Sequence, residues 1–297
     1  MSAAWRGTIL LEDAPVLRHD HFEAEQHILR LHSPRCAARA SPGSFVHLRC
    51  AQELPMRRPL SIMRAAPDAG WIELLYKVTG TGTRALARAL PGETLSVLGP
   101  IGVGFAPHRE RARVLAIGGG VGIPPMVFLA ERLMESAQAG SAAGWKPLVL
   151  MGSEVPFPFR VRPSSILVPG MPDEVIGCMP LLDDWSVPSR LATRAGYAGC
   201  YDGLVTDLAR TWLASRSREQ LAETEIFACG PTAMLAATAR LAREFALPCQ
   251  VALEEFMACG VGGCAGCAVA VQTARGPAMK RVCVDGPVFD AAAVFPP

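Results

Sequence analysis

Cys259-Gly260-Val261-Gly262-Gly263-Cys264-Ala265-Gly266-Cys267 is the stretch on which the rest of the chain turns, and Cys283 completes it sixteen positions further on. Three thiols spaced C-x4-C-x2-C with a later fourth form the plant-type pattern for holding a [2Fe-2S] cluster. Gly260, Gly262, Gly263 and Gly266 let the backbone wrap closely around a compact object where side chains would collide. They also leave N–H groups free to point at sulfur, which stabilises an anionic cluster and tunes its potential. A structural zinc site with four cysteines is the alternative, but such ligands usually come as two short pairs with a spacer. Here three cysteines crowd one loop and one lies elsewhere. A chain carrying such a cluster moves single electrons.

Outward from that stretch, 297 residues with half their number hydrophobic suffice for two or three domains with sizeable cores. A net charge of +2 with scattered basic residues gives no nucleic-acid surface. The N-terminus lacks the charged-then-apolar pattern of a secretory signal. The uncharged run from Val114 to Ala130 falls just short of a membrane span and holds glycines and prolines, which fits a buried strand, turn and helix. Six further cysteines (Cys36, Cys50, Cys178, Cys200, Cys229, Cys249) are scattered rather than patterned, so a reducing cytoplasm is expected.

The first hundred residues read as strands at Trp5–Glu12, His27–His32, Ser44–Cys50, Leu60–Arg64, Trp71–Val78 and Glu93–Leu98, with Pro42-Gly43, Asp68-Ala69-Gly70 and Pro91-Gly92 as turns. Six such strands predict a small antiparallel barrel, with one short helix at Thr83–Leu90. From Arg113 the texture changes. Val114–Ile117, Leu148–Met151 and Glu225–Ala228 read as buried strands, and Pro124–Met134 and Thr232–Phe245 as helices, which predicts a mostly parallel sheet covered on both faces. The proline-rich Phe157–Pro188 stretch reads as an irregular insertion. The last fifty residues hold the cysteines, a strand at Ala268–Gln272 and a turn at Arg275-Gly276-Pro277. The expected domains are 1–108, a β-barrel; 109–250, an α/β domain with the insertion near 157–188; and 251–297, the cysteine domain.

Three further motifs carry chemistry. In Arg57-Arg58-Pro59-Leu60-Ser61 an arginine beside a proline suits a bidentate grip on phosphate, and Ser61 adds a hydroxyl. Taken alone, a surface arginine explains it as well. After Leu75-Tyr76-Lys77-Val78, the run Gly80-Thr81-Gly82-Thr83 opens a helix whose N–H donors favour an anion. A capped turn is the plainer account of it alone; together with Arg58 in a barrel, a diphosphate site is expected. Gly118-Gly119-Gly120-Val121-Gly122 follows a strand and precedes a helix, as a nucleotide-phosphate turn requires, although Ile123 stands where G-x-G-x-x-G needs its third glycine. Cys229-Gly230-Pro231 ends another apolar strand, so both turns are expected on one crevice rim at the carboxyl ends of parallel strands. A small buried residue is the plainer account of Cys229.

The order Arg58-Pro59-Leu60-Ser61, Gly82-Thr83, Gly118–Gly122, Cys229-Gly230-Pro231 resembles the ferredoxin-NADP reductase superfamily, in which a flavin-binding barrel precedes a nicotinamide-binding domain. With the cysteine cluster and Arg281-Val282-Cys283-Val284-Asp285-Gly286-Pro287-Val288-Phe289 at its end, it resembles more narrowly the electron-transfer subunits of class 1B dihydroorotate dehydrogenase. The resemblance implies FAD held by Arg58, Pro59, Leu60, Ser61, Leu75, Tyr76, Lys77, Gly82 and Thr83. It implies a nicotinamide nucleotide flanked by Gly118, Gly119, Gly120, Gly122, Cys229, Gly230 and Pro231, and a [2Fe-2S] cluster on Cys259, Cys264, Cys267 and Cys283. Leu60 stands where the superfamily commonly has an aromatic residue, and the 157–188 stretch lengthens the nucleotide domain.

The resemblance further implies an FMN-containing dihydroorotate dehydrogenase catalytic subunit as partner, in a heterotetramer, serving pyrimidine biosynthesis. Electrons would pass from that partner to the cluster, to FAD and to NAD+, while the orotate chemistry stays in the partner. In that direction a plant-type centre near roughly −400 mV is a poor acceptor, so hydrogen bonds from the glycine loop are expected to raise it. NAD is expected from the family, with NADP left open because Arg160 and Arg162 follow the Leu148–Met151 strand. Three other readings share these motifs: a NAD(P)H-ferredoxin-type reductase subunit for a hydrogenase or sulfide dehydrogenase, a redox sensor, and a zinc-stabilised binding module.

Overall fold

In the computed structural model, residues 9–138 and 144–297 are described. Two compact units divide the chain. One joins the N-terminal stretch through Phe105 with Ala252–Phe289, and the other joins Ala106–Val251 with Asp290–Pro297. The cysteine-bearing segment therefore belongs to the barrel's unit.

The first unit is built on β1 (Leu10–Phe22), β2 (Gln26–His32), α1 (Pro34–Ala37), β3 (Phe45–Arg49), β4 (Arg58–Ala66), β5 (Trp71–Lys77), α2 (Thr81–Leu86) and β6 (Thr94–Ile101). The six strands close into a barrel in the order β1-β2-β5-β4-β3-β6. Alternating apolar residues fill it: Leu29 and Leu31, Val46 and Leu48, Ile72 and Leu74 are fully buried. The strand expected at Trp5–Glu12 falls partly on residues 5–8, outside the described residues, and β1 runs on to Phe22 through a polar stretch that lacks a clean apolar alternation. The helix expected at Thr83–Leu90 lies at Thr81–Leu86, because the Thr83 hydroxyl caps its start by accepting the N–H groups of Thr79 (2.9 Å) and Gly80 (3.2 Å).

The second unit contains β7 (Arg113–Gly119), α3 (Ile123–Gln138), β8 (Lys146–Gly152), β9 (Arg162–Pro163), β10 (Gly177–Cys178), α4 (Pro180–Asp184), β11 (Ser189–Thr193), β12 (Tyr201–Asp202), α5 (Val205–Ala214), α6 (Arg218–Ala222), β13 (Thr224–Cys229), α7 (Thr232–Glu244) and β14 (Cys249–Ala252). Towards the C-terminus follow β15 (Ala268–Thr273), β16 (Gly276–Arg281), α8 (Val282–Asp285), β17 (Val288–Asp290) and α9 (Ala291–Val294). The large sheet has the order β12-β11-β8-β7-β13-β14-β17, and β12, β11, β8, β7 and β13 run parallel. Glu225, with no exposed side-chain surface, anchors the entry to this unit. Its carboxylate accepts the His108 backbone N–H, the His108 ring and the Gln250 amide, each at 2.9 Å.

The Phe157–Pro188 stretch is less irregular than its prolines imply. It holds the antiparallel pair β9–β10 and α4, over its own buried Phe157, Val175, Cys178, Met179 and Leu182. Asp183 ties it together, accepting from the hydroxyls of Ser164 (2.7 Å) and Ser165 (3.0 Å). Among the described residues no helix is long and apolar enough to cross a membrane.

Candidate cofactor sites

The four cysteines form two close pairs within the first unit. Cys267 and Cys283 have their sulfurs 3.3 Å apart, and the Cys283 N–H points at the Cys267 sulfur from 3.5 Å. Cys259 lies within hydrogen-bond reach of the Cys264 thiol. The Val261 N–H reaches the Cys259 sulfur at 3.5 Å and the Gly266 N–H reaches that of Cys264 at 3.4 Å. Burial opposes ionisation of Cys259, but N–H donors from Val261, Cys264 and Gly263 and the Cys264 thiol outweigh it and bring the group down to about 7. Burial and the Cys267 thiol push Cys283 the other way, to about 12. Two close thiol pairs with backbone donors on sulfur fit an anionic two-iron cluster.

The loop glycines have a more local cause than close wrapping around a guest. Gly260 and Gly262 carry positive φ of 67° and 78°. A Cβ on Gly260 would stand 2.8 Å from the His47 ring, and one on Gly262 would stand 2.8 Å from Val284. Only Gly263 and Gly266 are uncrowded, the first having nothing within 4 Å and the second only the Cys264 sulfur at 3.6 Å. The cysteine loop is thus pressed onto β3 and α8. Sequence reading passes over His47, whose only signal is a polar residue at a core position of a barrel strand. Burial holds its pKa down to about 4, against the Met257 backbone and with help from Arg57 and Arg58, so the ring is neutral at pH 7. Beyond the loop, Gly286 accepts the Val103 N–H (2.6 Å) and Pro287 that of Leu253 (2.9 Å), docking the chain on the end of β6.

On the barrel, Arg58 and the start of α2 come together. A Cβ on Gly82 would lie 2.7 Å from the Arg58 Nε, so the guanidinium lies flat against a residue that must lack a side chain. Arg84 donates its N–H to Gly80 (2.9 Å), and the N–H groups ahead of it have no place in the helical ladder. Pro59, Leu60 and Ser61 are half-buried along β4, before the strand dives into the core at Ile62. Arg57 serves the barrel instead, donating to His47 O (3.1 Å), Ser96 O (2.7 Å) and Ser96 Oγ (2.9 Å). The Thr83 hydroxyl is occupied by its cap. Tyr76 shares the interior face of β5 with Ile72 and Leu74, and its hydroxyl bonds His19 Nε2 at 2.9 Å, which leaves its backbone for a ligand on the outer face.

In the second unit, Gly118 pairs in register with Cys229, so both expected turns sit at the carboxyl ends of neighbouring parallel strands. They interlock. A Cβ on Gly119 would stand 2.6 Å from Met234 and 3.1 Å from Pro231, and one on Gly122 would overlap the Cys229 carbonyl. Gly120, with φ of 54° and nothing within 4 Å, faces open space. Arg162 is engaged by Asp183 and Asp184 within its own insertion.

Known proteins agree with this arrangement. Residues 254–295 match the model of the iron-sulfur cluster binding domain of dihydroorotate dehydrogenase B. A "dihydroorotate dehydrogenase B (NAD(+)), electron transfer subunit" from Shouchella clausii is 33% identical over 262 residues, covering 86% of each chain. The protein of the same name from Desulforamulus reducens is 30% identical over 283 residues, covering 93% of this chain and 95% of its own. Among solved structures, an NADH-dependent reduced ferredoxin-NADP oxidoreductase, described in the context of flavin-based electron bifurcation, superposes with a TM-score of 0.74 at 27% identity. That match covers 95% of this chain and 89% of the other.

Proposed function

Because the chain belongs to the family of dihydroorotate dehydrogenase B (NAD(+)) electron transfer subunits, we propose that it passes electrons between an FMN-containing dihydroorotate dehydrogenase catalytic subunit and NAD+ in pyrimidine biosynthesis. When bound, nicotinamide exchanges a hydride, a [2Fe-2S] cluster exchanges single electrons, and FAD exchanges either. Cys259 with Cys264, and Cys267 with Cys283, would each hold one iron, as their pairing supports. The Val261 and Gly266 N–H groups stabilise negative charge on sulfur, a device that raises a cluster potential.

Arg58, with the N–H groups opening α2 at Gly82 and Thr83, would clamp the FAD diphosphate, and Pro59, Leu60, Ser61, Leu75, Lys77 and the Tyr76 backbone would line the flavin. The contact between Arg58 and Gly82 supports this, since it puts a fixed cation beside unpaired donors. Gly118, Gly119, Gly120 and Gly122 with Cys229, Gly230 and Pro231 would receive the nicotinamide nucleotide, Gly120 lying on the open side. NAD is favoured by the names of the relatives; of the two arginines after β8, Arg162 is paired with carboxylates while Arg160 is exposed, so a 2′-phosphate contact would fall to Arg160. A reductase subunit serving another partner is the second reading, kept by the likeness to the ferredoxin-NADP oxidoreductase.

The two thiol pairs with backbone N–H donors on sulfur carry the proposal. An absorption spectrum of anaerobically purified protein, before and after NADH, tests it: flavin and iron-sulfur bands should both bleach. A colourless, iron-free protein that cannot be reconstituted would sink it. Co-purification with an FMN protein that oxidises dihydroorotate separates the two readings.

A further inference from the structure

The barrel carries a cluster of histidines that no part of the electron relay uses. His21 on β1 stands directly opposite His27 on β2, and His27 in turn stands opposite Tyr76 on β5, so three residues form one row across three strands. His19, two residues before His21, projects from the same face of β1. The three imidazoles pack with centroids 4.6–5.4 Å apart, and each can offer one nitrogen so that all three lie within 4.8 Å of one another.

Two features distinguish this from aromatic packing. His27 is only 5% exposed, yet both its ring nitrogens lack a hydrogen-bond partner. A buried polar group left so is destabilising, and a coordinate bond would offset that cost. His19 presents one nitrogen as an acceptor: its Nδ1 is 2.9 Å from the Ala89 carbonyl, which can only accept, so Nδ1 carries the proton, and the Nε2 lone pair, which takes the Tyr76 hydroxyl at 2.9 Å, is the one a metal would claim in its place. A backbone carbonyl holding the far nitrogen is the usual outer support of a metal-binding imidazole. His21 is exposed, so the site opens to solvent at the barrel rim.

We propose that His19, His21 and His27 form a tris-imidazole site for a first-row divalent transition metal, with Zn2+ the ion that this count of neutral nitrogen donors suits. Three histidines and a water complete a tetrahedral shell with Zn–N distances of about 2.0–2.1 Å. Nitrogens in that shell stand roughly 3.3 Å apart, so the rings close by up to about 1.5 Å, to which the exposed His21 contributes by rotation and the half-buried His19 by leaving the Tyr76 hydroxyl. The ion would bridge β1 and β2 beside the turn that joins them. The site shares no ligand with the cysteine loop and does not depend on the redox reading.

The test uses the full-length protein with its iron-sulfur cluster loaded, so that the four clustered cysteines are not free to compete. Titration with Co2+ should give one saturable equivalent with visible d–d bands and no sulfur-to-cobalt charge-transfer band. His21→Ala, at an exposed position that leaves folding intact, should weaken binding at least tenfold, and His27→Gln should abolish it. Zn2+ should raise the melting temperature of the wild type and not of His21→Ala. The proposal is overturned if the wild type binds no Co2+, if His21→Ala binds as tightly as wild type, or if thiolate bands accompany the binding.

Discussion

At the scale of single residues, burial divides the cysteines into those that can react and those that cannot. Burial, with Glu12 adding to it, pushes Cys36 up to about 12, and burial against the pull of Arg58 pushes Cys50 to about 11. The thiolate is the nucleophile, so iodoacetamide at pH 8 should leave both untouched in the folded protein and label both in urea. The unfolded chain ionises these thiols near 9 while the fold keeps them neutral. Their contribution to stability is therefore whole below pH 9 and is lost as pH rises through about 11 for Cys50 and about 12 for Cys36, which urea melts from pH 8 upward would register. Native labelling of Cys50 at pH 8 would contradict this. The cysteine loop makes an equally specific demand. Gly260→Ala forces a side chain into a left-handed conformation, a cost of about 1–2 kcal/mol, and against His47. Purified protein should then retain several-fold less iron. Adding His47→Ala should recover part of that loss, because the space returns while the backbone strain stays. Gly263→Ala, with nothing within 4 Å, should retain iron like the wild type.

At the scale of elements, the insertion should behave as a small cooperative piece centred on one carboxylate. Burial raises the Asp183 pKa, but hydrogen bonds from Ser164 and Ser165 and the charge of Arg162 more than reverse this, so the group is ionised at neutral pH. Asp183→Ala strands those donors, at about 1–3 kcal/mol. Amide exchange should quicken from Ser164 to Cys178 while β2 of the barrel keeps its protection; unchanged exchange in the insertion would show that its small core suffices. Such knots explain which elements could be read in advance. Strands with alternating Leu, Ile and Val, and glycine turns between a strand and a helix, announce themselves. β11, Ser-Arg-Leu-Ala-Thr, does not: it is wholly buried yet short and polar, and Arg190 is accommodated only because its guanidinium reaches the Ser189 (2.7 Å) and Ile166 (2.7 Å) carbonyls. The metal-ligand spacing of the cysteines was legible because it is local in sequence. The histidine row was not, since His21 meets His27 only once the strand register is known.

At the scale of the whole molecule, neither contiguity in sequence nor the cysteine motif reveals that Ala252–Phe289 folds with the barrel. That grouping rests on contacts separated by well over a hundred residues: the Val103 N–H with the Gly286 carbonyl, and the His47 ring against Gly260. A chain ended after Val251 should therefore lose more than its iron. Its barrel unit should melt at a lower temperature than that of the full chain, whereas an unchanged barrel transition in calorimetry would show the barrel to be self-sufficient. The same main-chain docking of Gly286 and Pro287 sets a schedule for synthesis. The six strands can close on one another once Ile101 has been made, but the Val103 N–H beyond β6 finds its partner only when Gly286 has followed. Iron loading and the covering of that strand end would then fall at the same step, and a nascent chain halted before Cys283 would leave the strand end bare for chaperones to hold.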